Sequence, residues 1–187
     1  MDDDELFDVL SAIDSAAVPD KAERFEEEAQ RLEPGTHGRA SLLIAAGEHW
    51  QMRGEYEKAQ ASFDAARADG GKSAVDPDVA LFSLAMERGD ADAAAQHLAT
   101  LKGLANAAQL TLDNYLQIGE IYEGHNELRH AHRWLTVPLT YADPDDDDLD
   151  YLLLVARLRV REALGLSRDR FDQIAFEERE QRRAELR

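Results

Sequence analysis

Apolar side chains recur at helical spacing along almost the whole chain. Leu6, Phe7, Leu10 and Ile13 share one face of a helix expected over about 2–13. Pro19 opens a second, over about 20–32, with Phe25, Ala29 and Leu32 on one side, and Pro34-Gly35 ends it. Residues 40–53 and 56–68 form the next pair, separated only by Gly54-Glu55. Asp76-Pro77 reads as an N-cap followed by proline in the first turn, where its missing N–H costs nothing. Helices from there to Arg88 and from Ala91 to Lys102 meet at Gly89-Asp90. A further pair is expected over about 111–123 and 127–141, around Gly124-His125-Asn126. Asp143-Pro144 is expected to start a long helix to about Leu164, with Asp145 to Asp148 in its first turn. Gly165 breaks that helix, and Ser167 can cap a last one. No valine- or isoleucine-rich alternating run competes for strand status. The pattern predicts an all-α chain of about ten helices in short-looped antiparallel hairpins.

Self-similarity at a fixed period sharpens this picture. Gly54 and Gly89 are 35 residues apart, and Asn126 occupies the equivalent turn 37 residues later. Leu43, Ala46, Gly47 and Trp50 precede the first turn, and Ala59, Phe63 and Ala66 follow it. Tyr115, Ile118, Gly119 and Tyr122 precede the third, and Ala131 and Leu135 follow it. The middle unit is fainter, with Phe82 and Ala85 before its turn and Ala94, Leu98 and Leu101 after it. Gly47 and Gly119 should let a second helix approach the first, with Trp50 and Tyr122 filling the space near the turn. Phe63, Leu98 and Leu135 should pack towards the next unit. A hairpin of about 34 residues cannot bury both faces alone, so such units stack.

These residues resemble the tetratricopeptide repeat family over about 40–145. The resemblance implies a right-handed stack of hairpins whose concave face is lined by the first helix of each unit. It divides the chain into an acidic N-terminal hairpin over 1–39, three repeats over 40–145 and capping helices over 146–187. Two departures stand out: the bulky Phe82 replaces the small residue before the second turn, and Pro138, in place of a late alanine, should strain or kink its helix.

Composition then narrows the function. The chain has 187 residues with 39 Asp and Glu against 21 Lys and Arg, a formal charge of −18. A phosphate-neutralising protein should be basic, so DNA, RNA and anionic membranes are disfavoured as partners. With no cysteine there is no disulfide, thiolate metal site or cysteine nucleophile. No apolar run approaches a membrane span and the acidic start is unlike a secretory signal, which together point to a cytoplasmic protein. Arginine outnumbers lysine 17 to 4, and the acidity can equally reflect a solubility adaptation.

Candidate chemistry is sparse. His125, Glu127, His130 and His132 cluster, but His130 and His132 are two apart and point to different faces, so no metal site is expected. His37, His49 and His97 read as surface or packing residues. The acidic run 143–150 lacks the glycine and glutamate of a calcium loop, since those positions hold Asp148 and Leu154. No nucleophile elbow, phosphate-cradling loop or zinc-protease motif is present, so neither an enzyme nor a cofactor is expected.

The family resemblance implies an inner face instead. It takes Ile44, Glu48, Gln51 and Met52 from the first unit, and Val79, Ser83, Met86 and Glu87 from the second. The third supplies Leu116, Glu120 and Glu123. Acids and apolar side chains there suit a basic or amphipathic protein segment rather than an anionic tail. The expected function is a non-enzymatic interaction adaptor or scaffold. A self-assembling structural protein is the alternative, which leaves a homo-oligomer open, and a regulatory subunit of a larger complex is the weaker one.

Overall fold

The computed structural model describes residues 1–144 and 149–185. Among them there are ten α-helices, one short 3-10 turn and no strand, so the fold is all-α. The helices are α1 (Asp3–Ser15), α2 (Lys21–Gln30), α3 (Arg39–Met52), α4 (Tyr56–Asp69), α5 (Pro77–Arg88), α6 (Ala91–Asn106), α7 (Leu112–Gly124), α8 (Leu128–Thr136), α9 (Tyr151–Ala163) and α10 (Arg170–Glu185). The chain divides into two compact units, Met1–Gln109 and Leu110–Arg187. Within each unit, consecutive helices pack against each other, and α3 meets α5 as α7 meets α9. This arrangement is consistent with a helical-repeat stack.

In the first unit, Phe25, Leu42, Phe63, Leu81 and Leu84 are fully buried and join α2 to α5 in one core. The acidic α1 has no fully buried residue; it rests on that core through Leu6, Val9, Leu10 and Ile13. Its start is secured locally by a capping box, in which Asp2 accepts from the Glu5 amide and Glu5 from the Asp2 amide. In the second unit, Ile118, Leu135, Leu153, Leu154 and Leu158 form the core, edged by Tyr115 and Trp134 with ring centroids 5.8 Å apart.

The repeated turns share one hydrogen-bond pattern. Gly54, Gly89 and Asn126 all adopt left-handed backbone, with φ of 72°, 68° and 59°. The next amide reaches back to the helix five residues earlier: Glu55 to Trp50, Asp90 to Ala85 and Glu127 to Tyr122, at 2.8–2.9 Å. The amides of Gly54, Gly89 and Asn126 bond in turn to Gln51, Met86 and Glu123. This double closure satisfies the last carbonyls of the first helix while reversing the chain. Gly165, with φ 69°, ends α9 in the same way, through Leu166 to Arg161 and Gly165 to Glu162. The turn thus recurs at steps of 35, 37 and 39 residues, and α9–α10 is a fourth hairpin, turning at the expected break Gly165 but left outside the three expected repeats.

Close approach within the hairpins also has its expected cause. A Cβ on Gly47 would collide with the ring of Phe63, and one on Gly119 with Leu135. Phe63 and Leu135 therefore pack onto the first helix of their own hairpin, rather than only towards the next unit as expected. In the middle hairpin Phe82 takes the glycine position and is buried, which leaves Leu98 half-buried where Phe63 and Leu135 are fully enclosed.

Three expected boundaries are corrected. α8 stops at Thr136 and Val137–Leu139 forms a 3-10 turn, because Pro138 has no N–H to continue the helix. α9 begins at Tyr151, where Asp150 accepts from the Leu153 amide at 2.7 Å, and not at Asp143-Pro144. The expected helical turn of Asp145 to Asp148 lies outside the described residues. Asp169, not Ser167, caps α10: the Asp172 amide bonds to Asp169 and the Asp169 amide to Asp172, both at 3.1 Å.

Candidate functional site

The α3 stripe containing Ile44, Glu48 and Gln51 is the part of the expected inner face that the first unit assembles most fully. Steps of four and three residues put these side chains on one side of the helix. Gln51 donates to Ser83 Oγ at 3.4 Å and to the Glu87 carboxylate, both on α5. Tyr56 also donates to Glu87, at 3.0 Å, and this carboxylate pushes the phenol above its ordinary range. Gln51, Ser83 and Glu87 thus tie the first helices of two hairpins together, with Tyr56 of α4 as a further anchor, while Glu87 stays exposed.

One turn earlier, Ile44 and Glu48 border a cavity of about 460 Å³. Its other walls come from α1 and from 72–75, ahead of α5. A hydrogen bond from His49 Nε2 to Asp14 at 2.8 Å holds the C-terminal end of α1, while at its start His37 Nε2 lies 2.8 Å from Asp3 without hydrogen-bond geometry. His49 also stacks on Phe25, with centroids 5.4 Å apart. Glu48 keeps surface open to water, yet the concave wall reduces its solvation and holds its carboxyl above the usual range. His49 opposes that shift and Asp14 adds to it.

On the assembled stripe Ile44 is almost enclosed and Ser83 half-buried; the remaining expected residues are placed differently, with Val79 buried in the core and Met86 half-buried. Met52 is 71% exposed and lies with Val18, Pro19 and Lys21, away from Ser83 and Glu87. In the second unit, Leu116 is half-buried, and Arg159 takes both acids of α7, donating to Glu123 at 2.6 Å and to Glu120 at 3.4 Å.

Two polar clusters were not foreseen. Asp78 and His97, both buried, meet at 2.7 Å between α5 and α6. In the second unit Arg157, which interrupts an apolar run in the sequence, is buried and bonds to Asp172 at 2.5 Å and to both Asp169 oxygens at 2.5 and 3.1 Å. Arg161 adds one bond to Asp172, at 2.6 Å, and lies 3.1 Å from His132 Nε2. Arg157 holds the Asp169 carboxyl down to about 2, against the opposing effect of burial. His132 is pushed below its ordinary value, first by burial and then by Arg161 and Arg157. The only sequence signal for this cluster is an arginine at the place of Ala46 and Ile118, four residues before a second arginine at the place of Trp50 and Tyr122.

His130 pairs with Glu127 and stacks on Tyr122 at 5.1 Å, while His132 faces α9. Among the described residues, no three His, Cys, Asp or Glu side chains stand together to hold a metal ion. No helix among them is long and apolar enough to cross a membrane. No protein-family model, curated protein or solved structure matches the chain.

Proposed function

We propose that this chain is a non-enzymatic interaction adaptor of tetratricopeptide-like hairpins, acting in the cytoplasm, whose acidic face on α3 and α5 receives a basic or amphipathic protein segment. The observation that carries this reading is the linkage of Gln51, Ser83 and Glu87 across two first helices, beside the accessible carboxylate of Glu48. Such a face offers carboxylates on a rigid frame, and rigid presentation reduces the ordering cost of binding. The paired acids Glu120 and Glu123 contribute less, since Arg159 already neutralises them. The repeat reading is supported by the shared turn geometry and by the Gly47–Phe63 and Gly119–Leu135 contacts.

The test is capture of Lys/Arg-rich amphipathic peptides from an array, with Glu48→Lys/Glu87→Lys as the comparison. Capture should be lost in the double variant. It should also fade towards about 1 M salt, where the Debye length is about 3 Å. Binding that survives both changes overturns the electrostatic reading. A salt-resistant dimer in light scattering, burying the α3–α5 face, would favour self-assembly instead.

A further inference from the structure

The cavity between α1, α3 and residues 72–75 has a character distinct from the α3–α5 face. Leu6 and Leu10 of α1, Ile44 and Ala45 of α3, and Val75 supply apolar walls. Its volume of about 460 Å³ falls within the range of about 300–1,000 Å³ common for small-molecule sites. A docked helix, about 10–12 Å across with its side chains, would have to leave most of its length outside.

Three carboxylates and one ammonium border this space: Asp3, Asp14 and Glu48 against Lys72. Asp3 and Asp14 already face His37 and His49. Glu48 differs, because among the described residues it has neither a hydrogen-bond donor nor an ion-pair partner of opposite charge in contact. A carboxylate with reduced solvation beside an apolar wall gains most from a ligand that brings both a cation and hydrocarbon. An anion meets repulsion there, and a neutral apolar molecule leaves the carboxylate unpaired.

We propose that this cavity binds a small organic cation with an apolar body, an alkyl- or arylalkylammonium. Its charged end meets Glu48 at the mouth and its hydrocarbon lies against Leu6, Leu10, Ile44 and Val75. Lys72 restricts the cation to the Glu48 side of the opening. The site uses no residue of α5 but shares Glu48 with the acidic face of the adaptor reading, and Glu87 is the residue that separates the two.

The experiment titrates the full chain with hexylammonium, hexanol and hexanoate, following the backbone amides of Ser41, Ala45 and Val75 by NMR. Hexylammonium should saturate these shifts and bind at least about tenfold tighter than hexanol, the gain expected for a charge-assisted contact. Hexanoate should produce no saturable shift. Glu48→Gln should remove the preference for hexylammonium over hexanol, whereas Ala45→Leu, which fills the space and keeps the carboxylate, should weaken both. Glu87→Lys, which on the adaptor reading should weaken peptide capture, should leave hexylammonium binding intact. Equal affinity for hexanol and hexylammonium overturns the proposal, as does an unaltered preference in Glu48→Gln. Loss of hexylammonium binding in Glu87→Lys overturns it too, by moving the contact to the α3–α5 face.

Discussion

Gly47 and Gly103 both lie inside helices, and they should respond to alanine in opposite directions. At Gly47 the new methyl would enter the space of the Phe63 ring, so Gly47→Ala should lose about 1–3 kcal/mol in denaturant unfolding. At Gly103 nothing lies within reach, so Gly103→Ala should gain about 0.5–1 kcal/mol through helix propensity alone. Ala108 offers a converse test. It ends α6 with φ of 54°, where a side chain costs about 1–2 kcal/mol, so Ala108→Gly should raise the unfolding midpoint. Gly47 was legible in the sequence because a small residue recurs at Gly119, and the turn glycines because they interrupt two helical periods. Ala108 was not, since nothing in its identity announces left-handed backbone. Glu48→Gln is expected to stabilise the first unit at neutral pH. Its carboxyl is held above the ordinary value, so the folded state pays for ionisation above that range. The gain should shrink as pH falls through that raised value towards 4.5 and vanish below it, where both states are protonated.

Among the elements, α9 carries the most consequential side chains. Arg157 and Arg161 bind Asp169 and Asp172 on the α10 side of the hairpin, and Asp172 is buried. Removing Asp172 would leave Arg157 and Arg161 with Asp169 as their one remaining carboxylate, so Asp172→Ala should lose up to about 3–5 kcal/mol, read by chemical denaturation. The same cluster sets an acid response in two stages. His132 has a folded pKa below its unfolded 6.5, so its contribution is complete above about 6.5 and declines as pH falls through that value. Asp169, at about 2 when folded against 3.8, contributes fully above 3.8 and loses that contribution towards about 2. His132→Gln should flatten the first stage of a stability–pH profile and Asp169→Asn the second. Local sequence could not disclose this cluster, because its partners are 12 and 15 residues from Arg157 across a turn of unknown length. The start of α9 was hidden for a related reason: Asp143-Pro144 carries a strong start signal, but the side chain of Asp150 is the one that meets the free amide of Leu153. Asp78 and His97 were equally opaque, since only the packing of α5 on α6 brings them together.

For the whole chain, the acidity divides unevenly: 22 acids stand against 10 bases in residues 1–109, and 17 against 11 in 110–187. An excess of like charge opposes compactness, so moderate added salt at neutral pH should raise the melting temperature. A fall from the first addition would mean that the ion pairs outweigh the repulsion. The all-helical class and the hairpin turns could be read from periodicity because each depends on neighbouring residues. The cavity beside α3 could not, because its walls come from three separated segments. That dependence on neighbours reaches beyond architecture. Every helix packs chiefly on the one before or after it, so few contacts require distant parts of the chain to find each other. The entropy of closing long loops is correspondingly small, and low contact order places such chains among rapid folders, on a timescale of roughly microseconds to milliseconds. A nascent chain of this kind can complete one hairpin before the next has been synthesised, leaving little apolar surface waiting for a remote partner.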